Sequence, residues 1–167
     1  YVVVTAPSTD FKTITGEGHA DLKEDTPLVG DLWALKGSDL TAHVAGGAMT
    51  KIDGTLQWRY SDWLAGSVHI AEASLEQVSG KADAKITQPH AVGTDIKLLS
   101  GGGDVAFDSK KPIETLPFNA NLEWQYSSWL QGHIEVHEST LKSLNGSASA
   151  TVIEPFAPAG GPLTIHP

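Results

Sequence analysis

Along its middle and second half the chain alternates apolar and polar positions with a period of two. Leu56, Trp58 and Tyr60 fall on one side of an extended backbone, with Thr55, Gln57 and Arg59 on the other, the pattern of a half-buried strand. Ser61 and Asp62 supply a short polar turn, after which Gly66-Ser-Val-His-Ile alternates again. The same succession returns at Leu122, Trp124 and Tyr126, with Ser127-Ser128 as the turn and Gly132-His-Ile-Glu-Val beyond it. Each stretch predicts an aromatic hairpin.

Laid over itself, the chain matches at a shift of 66 positions without a gap, Leu56-Gln-Trp-Arg-Tyr-Ser-Asp-Trp-Leu-Ala-Gly against Leu122-Glu-Trp-Gln-Tyr-Ser-Ser-Trp-Leu-Gln-Gly. The match runs on through Val68 and Ile134, Ile70 and Val136, Glu72 and Glu138, Leu75 and Leu141, and Gly80 and Gly146. A partial copy at the start aligns Ile14-Thr-Gly-Glu-Gly-His-Ala-Asp-Leu with the stretch beginning at Val78, so the chain is expected to begin inside a repeat. Weaker agreement links Gly37-Ser-Asp-Leu-Thr-Ala with Gly102-Gly-Asp-Val-Ala-Phe. The expected fold is all-β: an antiparallel meander of tandem repeats of about 65 residues, forming an open twisted sheet, a groove or a partly closed barrel. One domain spans 1–167, with a partial repeat at 1–22, units at about 23–88 and 89–153, and an irregular Pro-rich tail at 154–167. The opening Tyr1-Val-Val-Val fits a first strand or the end of a linker equally well.

Small residues at every second position from Gly80 to Ala84 and from Gly146 to Ala150 predict a strand face that something bulky can approach closely, with a Trp-rich neighbour to fill the space. The glycines at 101–103 and Pro89 are expected to interrupt long strands, and Gly101-Gly-Gly-Asp reads as a turn, since it lacks the Lys and following helix of a phosphate cradle.

Composition narrows the function. Seventeen Gly and nine Pro suit many short strands. A net charge of −9 with thinly spread basic residues disfavours nucleic acid and anionic membrane surfaces. The absence of cysteine excludes disulfides and thiolate metal sites and leaves the compartment open. A start at Tyr1 without a basic flank suggests a processed or truncated product, with any signal or anchor upstream.

The candidate binding residues are the aromatic set Trp58, Tyr60, Trp63, Trp124, Tyr126 and Trp129, which suits a closed core, an apolar ligand groove or a sugar platform. His133 and His137 flank Glu135, yet residues four apart on a strand stand roughly 13 Å from each other. They are therefore expected to be solvated surface, and no metal or other cofactor is expected. No nucleophile motif, phosphate loop or dinucleotide fingerprint occurs, so no catalytic residue is assigned and an enzyme is not expected.

The doubled Trp-x-Tyr-Ser-x-Trp-Leu-x-Gly-x-Val/Ile stretch, followed by a Gly-led small-residue strand, resembles the periplasmic part of the type II secretion system protein N family over about residues 54–88 and 119–153. It is more loosely similar to AsmA-like β-repeat lipid-bridge proteins. The first resemblance implies a periplasmic, non-enzymatic accessory of a Gram-negative secretion or envelope assembly system, tethered to the inner membrane by a helix upstream and working through protein contacts. The alternative is a lipid- or glycan-binding or transport module with an apolar aromatic groove. Self-association through unpaired sheet edges is a further expectation.

Overall fold

The computed structural model describes residues 2–5, 15–74, 76–155 and 165. Ile14, Leu75 and most of the tail therefore lie outside the described residues. The strands are β1 (Val2–Thr5), β2 (Thr15–Asp21), β3 (Thr26–Val29), β4 (Leu32–Ala34), β5 (Asp39–Ala45), β6 (Ala48–Tyr60) and β7 (Leu64–Ala73). They continue with β8 (Val78–Ile86), β9 (His90–Val92), β10 (Ile96–Asp108), β11 (Phe118–Tyr126), β12 (Leu130–Ser139) and β13 (Gly146–Val152). All thirteen belong to one antiparallel sheet, and the described residues include no α-helix, only a short 3-10 turn at Ile113–Thr115. Ten strands lie side by side in the order β1-β2-β5-β6-β7-β8-β10-β11-β12-β13, while β3 pairs with β4, β4 with β6, and β9 with β10. The order has two ends, so the sheet is open and does not close into a barrel.

The ladders repeat. Leu32 opposite Tyr60 and Ala34 opposite Trp58 return as Ile96 opposite Tyr126 and Leu98 opposite Trp124. Trp58 faces Gly66 and Leu56 faces Val68, as Trp124 faces Gly132 and Leu122 faces Ile134. Both hairpins carry a bulge at the same place, between Ile52 and Gly54 and between Phe118 and Ala120, which bends the strand and raises its twist. The turns match as well: Ser61 and Ser127 sit at φ 53 and 51, and their backbone N–H groups donate to the carbonyls of Asp31 and Asp95 at 2.8 and 2.7 Å.

β10 corrects three expectations. Gly101-Gly-Gly-Asp is not a turn, and the glycines do not end a strand: they lie inside β10, with Gly103 facing Ala84 of β8 and Ala120 of β11. The interruption is only a bulge between Leu98 and Ser100. Close backbone approach explains the composition, because a Cβ on Gly102 would collide with the Ala84 carbonyl oxygen. The weak internal match is also displaced. Thr41 faces Asp53 as Asp104 faces Asn119, so Asp104 corresponds to Thr41 rather than to Asp39. The cause is the join within each repeat: residues 35–38 separate β4 from β5, whereas β10 runs through with a bulge.

The registers sort the two faces. One row crosses the sheet as Trp58, Gly66, Ala84, Gly103, Ala120, Val136 and Gly146, and the next as Leu56, Val68, Ala82, Val105 and Phe118. On the reverse side the rows read Gln57, Ser67, Asp83, Asp104 and Asn119, and Arg59, Ala65, Lys85, Gly102, Asn121, Glu135 and Ser147. A second layer normally covers an apolar sheet face. None does so among the described residues, where Ala34 and Ile86, 4% and 7% exposed, are the only buried hydrophobic residues, and Ile134 is 36% exposed. Eight inter-strand spacings of about 4.8 Å from β2 to β13 make this face roughly 38 Å wide, and strands of about seven residues give it a projected area on the order of 900 Å².

Candidate functional site

Alternation places Trp58, Tyr60, Trp124 and Tyr126 on the apolar face, and Trp63 and Trp129 in the turns that follow. Each turn tryptophan meets its tyrosine edge to face: Tyr60 and Trp63 at 6.3 Å and 86°, Tyr126 and Trp129 at 6.0 Å and 90°. The six candidates thus form two equivalent trios, separated by four inter-strand spacings, about 19 Å. Trp63 also stacks on His90 at 4.2 Å and 9°, which ties the turn of the first repeat to the start of the second.

The bulky neighbour over Gly80, at the head of the first glycine-alanine strand, is a phenylalanine rather than a tryptophan. A Cβ on Gly80 would stand 2.7 Å from Phe107 Cζ of β10, so Phe107 lies over Gly80. The tryptophans cover a different glycine, the one directly opposite each of them on the next strand. A Cβ on Gly66 would stand 2.9 Å from Trp58 Cζ2, and one on Gly132 would strike the ring of Trp124. A ring laid over a cross-strand glycine shields bare backbone and leaves a low surface. Trp124 pays for this with an indole N–H that is buried without a hydrogen-bond partner among the described residues, a cost of about 1–3 kcal/mol.

The polar face is laced by short links. Asp53 accepts from Lys51 Nζ at 2.7 Å and faces His43 Nε2 at 2.9 Å. The Lys51 ammonium holds the Asp53 carboxyl below the ordinary aspartate range; partial burial opposes it, and the His43 ring adds a smaller lowering effect. Lys23 does the same for Asp21. His137 lies 3.0 Å from Glu135 on the exposed surface. No group of three His, Cys, Asp or Glu side chains among the described residues is placed to hold a metal.

Two features escape sequence reasoning. Trp33, alone of the tryptophans, stands on the polar side, with Arg59 5.6 Å above its ring; nothing in the repeat marks it, because the second unit has Lys97 there. A groove of about 580 Å³ also runs over the glycines of β10, lined by Asp83, Lys85, Asp104, Asn119, Asn121 and Glu135 among others. Its signal was the glycine run itself, which leaves the polar row without a side chain between Lys85 and Asn121.

Fold and site together define an open, single-layer, repeat-built antiparallel sheet with one apolar and one polar face, its aromatic residues set in periodic trios along one margin. Comparison with protein-family models, with curated proteins and with solved structures gave no match.

Proposed function

We propose that this protein is a non-enzymatic lipid-binding module of the Gram-negative envelope, working in the periplasm, and that acyl chains cover its apolar face. The observation that carries the proposal is the uncovered face. No second layer lies over it among the described residues, and apolar surface left open to water marks a binding surface, so an occupant lowers its free energy. Chemistry selects the occupant. The rows from Trp58 to Gly146 and from Leu56 to Phe118 offer no polar side chain, and an extended peptide laid there would leave its backbone groups unpaired. An acyl chain has no such groups. The resemblance of the aromatic units to AsmA-like repeats supports the same occupant, and their likeness to the secretion protein N family supports the compartment.

Native mass spectrometry of gently purified protein is the test, followed by titration with palmitate. The expected result is co-purifying lipid and saturable palmitate binding that quenches or shifts tryptophan emission, both lost in Ile134→Asp, whose site is exposed enough to accept the change without unfolding. Protein free of lipid and indifferent to palmitate, with a second polypeptide covering the face, would replace this proposal with the assembly accessory working through protein contacts.

A further inference from the structure

We infer that the margin of the sheet carrying the aromatic turns docks on the interfacial region of a zwitterionic lipid bilayer. The backbone hydrogen bonds define this margin as one continuous line. The turn after β3 bonds to the turn after β6 through Ser61 N–H and the Asp31 carbonyl. Thr87 N–H donates to Trp63, Ser127 N–H to Asp95 and Ile153 N–H to Trp129, so both repeats deliver the same elements to one side.

The distribution of tryptophan and tyrosine is one-sided, although exposed apolar side chains stand on both margins, with Ile113 at 71% and Leu144 at 78% on the far one. All five tryptophans, and both tyrosines among the described residues, lie in these turns or in the last three ladder positions before them. The opposite margin, formed by the loops at 46–47, 74–77, 109–117 and 140–145, has neither Trp nor Tyr; it carries Lys110, Lys111 and the Glu114–Lys142 ion pair at 3.2 Å. Amphipathic rings of this kind favour the boundary between headgroups and acyl chains. Apolar side chains stand exposed beside them at repeat-equivalent hairpin tips, Val29 at 74% and Val92 at 49%, with Ile153 at 40%. The repeat thus sets two such groups about 19 Å apart on the same margin.

Charge chooses the lipid and the depth. Asp31, Asp62, Asp95 and Glu154 lie along the margin on a chain of net charge −9, so anionic headgroups repel it and zwitterionic ones do not. The charged rows of the polar face prevent the sheet from entering the hydrocarbon. The contact is therefore confined to the margin, where the protein lies on the membrane and does not span it. This surface shares Trp58, Tyr60, Trp124 and Tyr126 with the edge of the face assigned to acyl chains, but its turns and tips lie outside that face and offer a route between bilayer and sheet.

The test is flotation of the whole chain with phosphatidylcholine vesicles and with vesicles containing phosphatidylglycerol. Binding to the first, weakened by the second, is expected. The double variant Val29→Asp/Val92→Asp alters only exposed tips and should lower vesicle binding by roughly tenfold, with its circular dichroism and palmitate binding unchanged. Ile113→Asp/Leu144→Asp on the opposite margin should bind as wild type. Bromine in shallow acyl positions should quench tryptophan emission in the wild type and not in the tip variant. No binding to phosphatidylcholine, or equal losses from the two margins, overturns the inference. Loss of palmitate binding in Ile134→Asp with vesicle binding intact separates this surface from the apolar face.

Discussion

The two complete repeats, β3–β8 and β9–β13, agree where the backbone and the apolar face are concerned and differ almost everywhere on the polar face. Trp over Gly, the serine at positive φ and the bulge occur in both. By contrast, Trp33 and Arg59 in the first become Lys97 and Gln125 in the second, and Asp53 becomes Asn119. The join is solved twice as well. In the first repeat Ser38, 4% exposed, closes residues 35–38 by donating to the Leu35 carbonyl at 2.7 Å and accepting from Gln57 N–H at 2.9 Å; in the second, glycines carry β10 straight through. The shared features are those that make a smooth apolar surface, which locates the common task of the repeats on that face.

The largest expected effect tests this equivalence directly. Valine at Gly66 or at Gly132 drives its side chain into the ring opposite and the strand beside it, and each substitution should cost about 3 kcal/mol, at the upper end of overpacking. Denaturant midpoints measure it. Equal losses support equivalent repeats, and adding Trp124→Ala to Gly132→Val should recover part of the loss, because the two groups share one space. A loss at one glycine with none at the other breaks the comparison.

A smaller effect separates the repeats. Ser38→Ala removes a hydroxyl that serves the backbone of both Leu35 and Gln57; the Leu35 carbonyl keeps the Ser38 N–H, and losing the bond to the Gln57 N–H should cost about 1 kcal/mol. Hydrogen exchange should quicken around β4–β6 and stay unchanged around β10–β12. Uniform acceleration would mean that the sheet opens as one unit, with no repeat-level independence.

Much of this architecture is legible in the chain because an open sheet with one wet face writes a clean period of two into its strands. Leu56 to Tyr60 and Leu122 to Tyr126 show it, and the 66-residue shift follows. Glycine misled at β10, since the residue that most often punctuates a chain also serves where strands crowd, and only pairing distinguishes the two uses. The partner of each tryptophan was hidden for a related reason. Alternation says that Trp58 and the small residues share a face, whereas register decides that Gly66, not Gly80, lies beneath it. Nor does alternation reveal what stands on a face, so Trp58 and Trp124 read equally well as core or as an open surface.

The smallest effect concerns acid. Lys51 and His43 hold the Asp53 carboxyl below its ordinary value of 3.8. A carboxyl depressed in the folded state contributes stability above its unfolded value and loses it as pH falls through the folded one. Protection of the β5–β6 ladder should therefore decline below about pH 4, while β10–β11, with Asn119 in place of Asp53, gains no equivalent loss from this position. The side chain is about 30% exposed and its ion pair is screened by water, so the change is small, and amide exchange resolved by residue is the measurement with enough sensitivity. Asp53→Asn should flatten the pH response of β5–β6. If that variant keeps the wild-type slope, the acid sensitivity of the first repeat does not lie with Asp53.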